Sequence, residues 1–414
     1  MELINQPFNG QLGDRLIALL DSQDFQTLTV FVAFARNSGV LRIKDALQRF
    51  REQGGAVHVH VGVDLGGTSY EALTALLLHT DSLAVVHCEG GQTFHPKIYH
   101  FVGATDTVLV VGSNNLTGGG LWTNFEGAWL FALDRNDPVH QPSIDEIEAY
   151  AGKLQSLGTS YMPLQDQAAI DKLLQNGYVS KEVWDHIRSR NTARSRSTGN
   201  RLFGKGAPAT LPTLNVVTTP ATQPAPAPSP APLSPPVPPP SSPHNGEPVI
   251  WFETRKMTGG SRNILDLSMK SLVSRGDPTG TAFDLGDGRF MRGAVQFFGV
   301  DPADTSQTKD IILNFEGVDY AGNTILYPEG DKANGTWRLQ IKGVDANGRK
   351  ITEAFNDKGD GEYLVQKLVA FTKIDVNYYA MSVFPTSDLA QFEAASLILA
   401  HNGRAKNARR LGIL

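Results

Sequence analysis

The hydrophobic and polar positions of this 414-residue chain change rhythm once, across a proline-rich stretch. Residues 27–35, TLTVFVAFA, form a nearly unbroken apolar run, the pattern of a strand buried on both faces. GVLRIKDALQRFREQGG (39–55) has helical spacing and a glycine stop. AVHVHVGVDL (56–65) then predicts a strand, YEALTALLLH (70–79) a helix, and SLAVVHC (82–88) another strand. FHPKIYHF, a short hairpin and VLVVGSNNLTGGGLWTNFEGAWL follow. Strands alternating with helices imply an α/β domain, a mixed or parallel sheet with helices on its faces.

From about Gly204 to Pro248 the pattern gives way to Pro, Ala, Ser and Thr, with PAPAPSPAPLSPPVPPPSSP at the centre. Such a segment buries too little apolar surface to fold and favours polyproline II. At about 3.1 Å per residue, 25 residues of it span on the order of 75 Å. It reads as a semi-rigid spacer, or as a docking site for a proline-reading partner. Beyond it, GAVQFFGV, KDIILNFEGV, NTILYP, TWRLQIKGV and NYYAMSVFP are short, β-branched or aromatic, and separated by Gly, Asp and Asn. DLAQFEAASLILAH predicts a helix near the end. The organisation expected is a catalytic domain over 1–190, a basic then Pro-rich linker over 191–248, and a mainly β barrel or pseudobarrel over 249–414.

Composition narrows this only slightly. Thirty-seven basic and 42 acidic residues leave a net charge of −5, so any nucleic-acid footprint must come from local clusters. Cys88 is the single cysteine, which excludes an intrachain disulfide and a thiolate metal cage. The amino terminus lacks a basic region followed by an apolar run, and no stretch approaches the roughly 18 to 20 apolar residues of a spanning helix. A cytoplasmic protein with no membrane contact is expected.

The chemistry concentrates in one region. In an alternating strand His95 and Lys97 project together while Pro96 and Ile98 turn away. The apolar run Val108 to Val111 ends in Gly112-Ser113-Asn114-Asn115, a small-residue corner able to bring Asn115 beside that pair. Glu126 follows. A nucleophilic imidazole, a cation and an amide donor are the groups needed to attack a phosphodiester and hold its oxygens.

The spacing His-x-Lys, Gly-Ser-x-Asn, Glu resembles the active-site signature of the phospholipase D superfamily, over roughly the first 150 to 190 residues. The residues carried over are His95, Lys97, Gly112, Ser113, Asn115 and Glu126. One departure is that many members carry an Asp five residues after the Lys, where this chain has Val102; Asp106 lies at the hairpin turn. The resemblance implies a phospholipase D-like fold and hydrolysis through a phosphohistidine on His95. Lys97 and Asn115 would neutralise the non-bridging oxygens, Ser113 would shape the corner, and Glu126 would orient an imidazole. No cofactor and no metal is implied. The motif occurs once, which implies a homodimer through the catalytic domain with two His95 residues meeting at a two-fold axis.

A single-copy catalytic domain followed by a β-rich domain is similar to phospholipase D-type restriction endonucleases, whose second domain is similar to the plant B3 pseudobarrel. The resemblance therefore implies DNA as substrate and a role in restriction or antiphage defence. Alternatives are an effector gated by a defence-system partner, a nucleic-acid-binding scaffold and a phospholipid phosphodiesterase. Candidate DNA contacts in the second domain are Arg255, Lys256 and Arg262 in ETRKMTGGSRN, and Arg338, Gln340 and Lys342 on WRLQIK. On that strand Trp337, Leu339 and Ile341 would face the core.

Arg188, Arg190, Arg194, Arg196, Arg201 and Lys205 form a basic leader to the linker, either solvated or in contact with a nucleic-acid backbone. Arg404, Lys406, Arg409 and Arg410 read as a basic tail or as helix-end charge. His58 and His60 share a strand face at metal-ligand spacing, but such a pair more commonly is hydrogen-bonded or partly exposed.

Overall fold

The computed structural model describes residues 1–194, 206–214, 248–255, 262–329, 335–359, 361–406 and 408–414. They fall into two compact units, Met1–Asp185 with Gly206–Thr213, and the residues from His186 with Leu214–Leu414.

The first unit is built on an eight-stranded sheet: β1 (Glu2–Gln6), β2 (Phe25–Val32), β3 (Ala56–Gly62), β4 (Ser82–Val86), β5 (Lys97–Gly103), β6 (Asp106–Gly112), β7 (Glu126–Asp134) and β8 (Tyr161–Leu164). Their order is β1-β7-β6-β5-β2-β3-β4-β8. The pairs β2–β3 and β3–β4 are parallel and the others antiparallel. The helices are α1 (Leu12–Asp21), α2 (Asn37–Glu52), α3 (Tyr70–His79), α4 (Gln141–Gln155), α5 (Gln167–Gln175) and the first turn of α6 (Glu182–Arg194). Expected and observed elements agree to within a few residues from β2 through β4.

The pleat sorts the sheet's side chains. Phe31, Ile98 and Leu109 face α4, packing with Ile147, Tyr150 and Leu154. Leu28, Val30, Val59, Tyr99 and Phe101 point the other way and are buried. Towards the catalytic end of β1, β7 and β6 the α4 face is less covered. There Leu3, Trp129 and Val111 stand opposite one another across three strands and remain 39% to 44% exposed. Ser69 caps α3, with Ala72 N donating to its Oγ at 3.1 Å.

In the second unit, eleven strands among the described residues form one sheet, almost wholly antiparallel. The exception is Thr308–Phe315 beside Tyr378–Pro385. Leu265 and Leu267 from one end strand and Met291 from the other share a core with Phe252, Leu313 and Phe371, so the sheet curves around a single interior.

Three expectations fail here. GAVQFFGV is no strand: Ala294–Phe298 is a 3-10 turn closed by Gly299 at φ 71°, and Ala294, Val295, Phe297 and Phe298 are all buried. The helix expected over 388–401 stops at Ala395. Ser396 turns extended, its Oγ donating to Phe392 O at 2.7 Å, and Ile398–His401 continues as a strand with Ile398 and Ala400 inward. Arg404, Lys406 and Arg409 are therefore neither tail nor helix end. They lie in the turn between the strands Ile398–His401 and Arg410–Ile413, and Arg410 opens the second.

Candidate active site

Three adjacent strands deliver the predicted residues to one end of the first sheet. His95 sits in the segment leading into β5 and is exposed, while Lys97, the first residue of β5, is 8% exposed. The Lys97 Nζ lies 2.7 Å from His95 Nδ1 and 3.1 Å from Nε2, and donates to the His95 carbonyl at 3.0 Å. An ammonium can donate to an imidazole nitrogen only where that nitrogen keeps its lone pair, the form a nucleophile needs. Burial lowers the Lys97 ammonium below the ordinary lysine range, and the nearby Glu126 carboxylate partly offsets this.

β6 and β7 contribute the other half. Ser113, just past β6, donates through Oγ to Glu126 Oε2 and accepts from Gly127 N at 3.1 Å. Asn124 Nδ2 donates to Glu126 Oε1 at 3.2 Å. Among the described residues Ser113 and Asn124 are the side chains bonded to this carboxylate, and no imidazole is. Asn115 Oδ1 accepts from Phe34 N at 3.2 Å, which pins the corner after β6 to the end of β2. Gly112 is required by close approach, since a Cβ there would lie 2.4 Å from Gly127 O. Beneath the site, burial raises the Tyr99 phenol's pKa; its hydroxyl donates to Asn114 O at 3.1 Å.

Several supporting residues carry no sequence signal. Gln6 is fully buried. Its Nε2 donates to Gly120 O at 3.2 Å and Asn124 O at 3.1 Å, and its Oε1 accepts from Leu12 N at 3.2 Å, so it moors the loop that delivers Glu126. Phe34 meets the His95 ring edge-on at 5.6 Å between centroids, and Lys97 Nζ lies 5.9 Å from its centre. The apolar run over 27–35 hides Phe34 among core residues.

The remaining candidates lie elsewhere. Trp337, Leu339 and Ile341 are buried. Arg338 and Gln340 are half-buried beside them, and Lys342 is exposed, donating to Gln340 Oε1 at 3.1 Å. Arg338 Nε lies 3.8 Å from Asp266 Oδ1 across the strand pair. Arg262 Nη2 lies 3.5 Å from Glu362 Oε1, and Arg255 is exposed. Lys256, Arg196, Arg201 and Lys205 lie outside the described residues; Arg188, Arg190 and Arg194 fall within α6. His60 is buried and stacks on Phe31 at 4.8 Å, while His58 Nδ1 is 2.8 Å from Ser82 Oγ. Among the described residues no three His, Cys, Asp or Glu side chains are grouped to hold a metal ion, and no helix is long and apolar enough to cross a membrane.

No family model and no curated protein matches this chain. Solved structures of phospholipase D family proteins do. The phospholipase D family member Nuc from Salmonella typhimurium is 16% identical, with 40% of this chain and 97% of that one covered and a TM-score of 0.29. NucT from Helicobacter pylori is 14% identical, covering 39% and 98%, with a TM-score of 0.29. Phosphatidylserine synthase from Haemophilus influenzae is 14% identical, covering 42% and 43%, with a TM-score of 0.28.

Proposed function

We propose that the chain is a metal-independent phosphodiesterase that cleaves DNA as a homodimer through a covalent phosphohistidine at His95. The observation that carries this reading is the Lys97 ammonium against the His95 imidazole, with Ser113 and Glu126 on the neighbouring strands. A lone pair on His95 attacks phosphorus, the P–O bond to the leaving group breaks, and the departing oxygen takes a proton. Water then attacks the same phosphorus, gives up a proton, and the P–N bond breaks. Lys97 offsets the charge on the non-bridging oxygens.

Both steps need a second imidazole to give and take the proton. A second copy supplies it as its own His95, with Glu126 available to orient the incoming ring. The uncovered sheet face supports this assembly. Leu3, Trp129 and Val111 line it, and Val111 lies two residues from Ser113, so the face runs into the catalytic end. Exposed apolar surface of this kind is a common mark of a self-complementary contact.

DNA is favoured over other phosphodiesters by the second unit, where Arg338, Gln340 and Lys342 form a polar row of the chemistry that reads base edges. A cutting unit joined to such a unit by a long spacer suits a restriction or antiphage nuclease, and B3-like recognition is part of the same proposal. Purified protein is incubated with plasmid in EDTA beside His95→Ala, and the ends are mapped. Metal-free cutting lost in the variant supports the reading, and clustered ends support sequence recognition. Cutting that survives in the variant overturns the site; cleavage of phospholipid vesicles but not of plasmid overturns the substrate.

A further inference from the structure

The corner after β3, Asp64-Leu65-Gly66-Gly67, touches the nucleophile's surroundings at two separate points. Asp64 is nearly buried, its side chain 9% exposed. One carboxylate oxygen accepts from Phe94 N at 3.1 Å, the amide immediately before His95, and the other lies 2.7 Å from His87 Nδ1. Glu89 lies on the far side of the same imidazole, 3.7 Å from its Nε2, and receives the Tyr178 hydroxyl. The chain entering the site is thus tied to a fixed carboxylate rather than left to solvent.

Gly67 makes the second contact. Its φ of −74° suits any residue, so backbone freedom does not explain a glycine here. Space does. A Cβ at position 67 would lie 2.0 Å from Phe34 Cδ1 and 2.3 Å from its Cγ. Phe34 is the ring that meets His95 edge-on at 5.6 Å. Its flanks are stitched to the same corner. Arg36 donates to Gly67 O at 2.8 Å and Gly66 O at 2.6 Å, and Ala35 N donates to Thr68 Oγ1 at 3.1 Å. Leu65 holds a left-handed φ of 55°, a conformation costly for leucine that persists only where its surroundings impose it.

We infer that this corner is the positioning element of the nucleophile, Asp64 fixing the peptide before His95 and Gly67 fixing, through Phe34, the wall against which the imidazole rests. The inference rests on His95 being the nucleophile. Attack on phosphorus tolerates little misplacement, since a shift of about 1 Å can cost on the order of 100-fold in rate. A positioning role therefore shows in kcat more than in KM.

The test uses full-length protein and bis(p-nitrophenyl) phosphate. Asp64→Ala and Gly67→Ala are expected to lower kcat by about 10- to 100-fold with KM changed less than about threefold. Asp64→Asn, keeping one acceptor, falls between. Because Gly67 acts through the ring, Gly67→Ala should cost nothing further in a Phe34→Ala background. Full multiplication of the two losses overturns the route through Phe34. Wild-type kcat in Asp64→Ala, or loss in KM alone, overturns the role of Asp64. The 13Cε1 signal of His95, assigned with His95→Ala, gives a second readout that needs no turnover. It should shift or broaden in Asp64→Ala and Gly67→Ala, and an unchanged signal in both overturns the inference even if the substrate reading is wrong. An active wild type whose activity survives His95→Ala condemns the nucleophile instead, which separates the two failures.

Discussion

Acid should destabilise the first unit from the α4 side of its sheet. His60 on β3 and His100 on β5 are 4% and 2% exposed, and neither His60 Nδ1 nor His100 Nε2 has a hydrogen-bond partner. Burial lowers both imidazoles from 6.5 to about 4, with His58 adding to the effect at His60 and Glu148 opposing it at His100. A folded value below the unfolded one means the unfolded chain takes up protons first. Stability is therefore complete above about pH 6.5, falls as pH drops, and levels off below about 4. A shift of about 2.5 units corresponds to about 3 kcal/mol per histidine, and two together give a slope near 2.7 kcal/mol per pH unit. That is a large share of a domain's usual stability of about 5–15 kcal/mol. Hydrogen exchange of peptides covering β3 and β5, read by mass spectrometry between pH 7 and 4.5 and corrected for intrinsic rates, should show opening free energies falling along that curve. His60→Leu with His100→Leu, which bind no proton, should flatten it. An unchanged curve in the double variant, or NMR titration of both imidazoles near 6.5, refutes the reasoning.

Other consequences are local. Ser113→Ala removes a donor to Glu126 and an acceptor for Gly127 N, and should lower kcat on a chromogenic phosphodiester by about 10-fold, as loss of one hydrogen bond to a charged group implies. Gln6→Leu leaves the carbonyls of Gly120 and Asn124 without their buried donor. It should cost about 2–3 kcal/mol in urea unfolding and lower activity as the loop before Glu126 loosens; wild-type stability would mean that Gln6 does not moor that loop. The proposed dimer should sediment as such in analytical ultracentrifugation, and Trp129→Glu on the uncovered face should turn it into monomer and abolish cleavage, while a dimer that persists in the variant would move the interface elsewhere.

What the sequence made legible follows from how local each signal is. β2, β3 and β4 announce themselves through apolar runs because both faces of each are buried, and the two glycines at 54 and 55 end α2. His95 and Lys97 can be paired on alternation alone, and the small residues 112–115 mark a corner because no larger side chain turns there. The supporting residues were not legible. Asp64 meets Phe94 across 30 positions and Gln6 meets Asn124 across 118, separations that no periodicity spans. GAVQFFGV and SLILAH misled for a related reason. In GAVQFFGV nearly every residue is buried, and in SLILAH the outward positions Leu397 and Leu399 are as apolar as the inward Ile398 and Ala400, so neither segment carries the polar alternation that marks a strand, and tertiary packing decides.

The proposed mechanism turns on a bond between His95 and phosphorus. Wild-type protein is mixed with an end-labelled DNA duplex in EDTA, quenched in alkali within milliseconds to seconds, and digested for mass spectrometry. A transient nucleotide adduct is expected on the peptide containing His95, stable in base, labile in acid and absent in His95→Ala. Cleavage proceeding at the normal rate with no such adduct at any time point would contradict it.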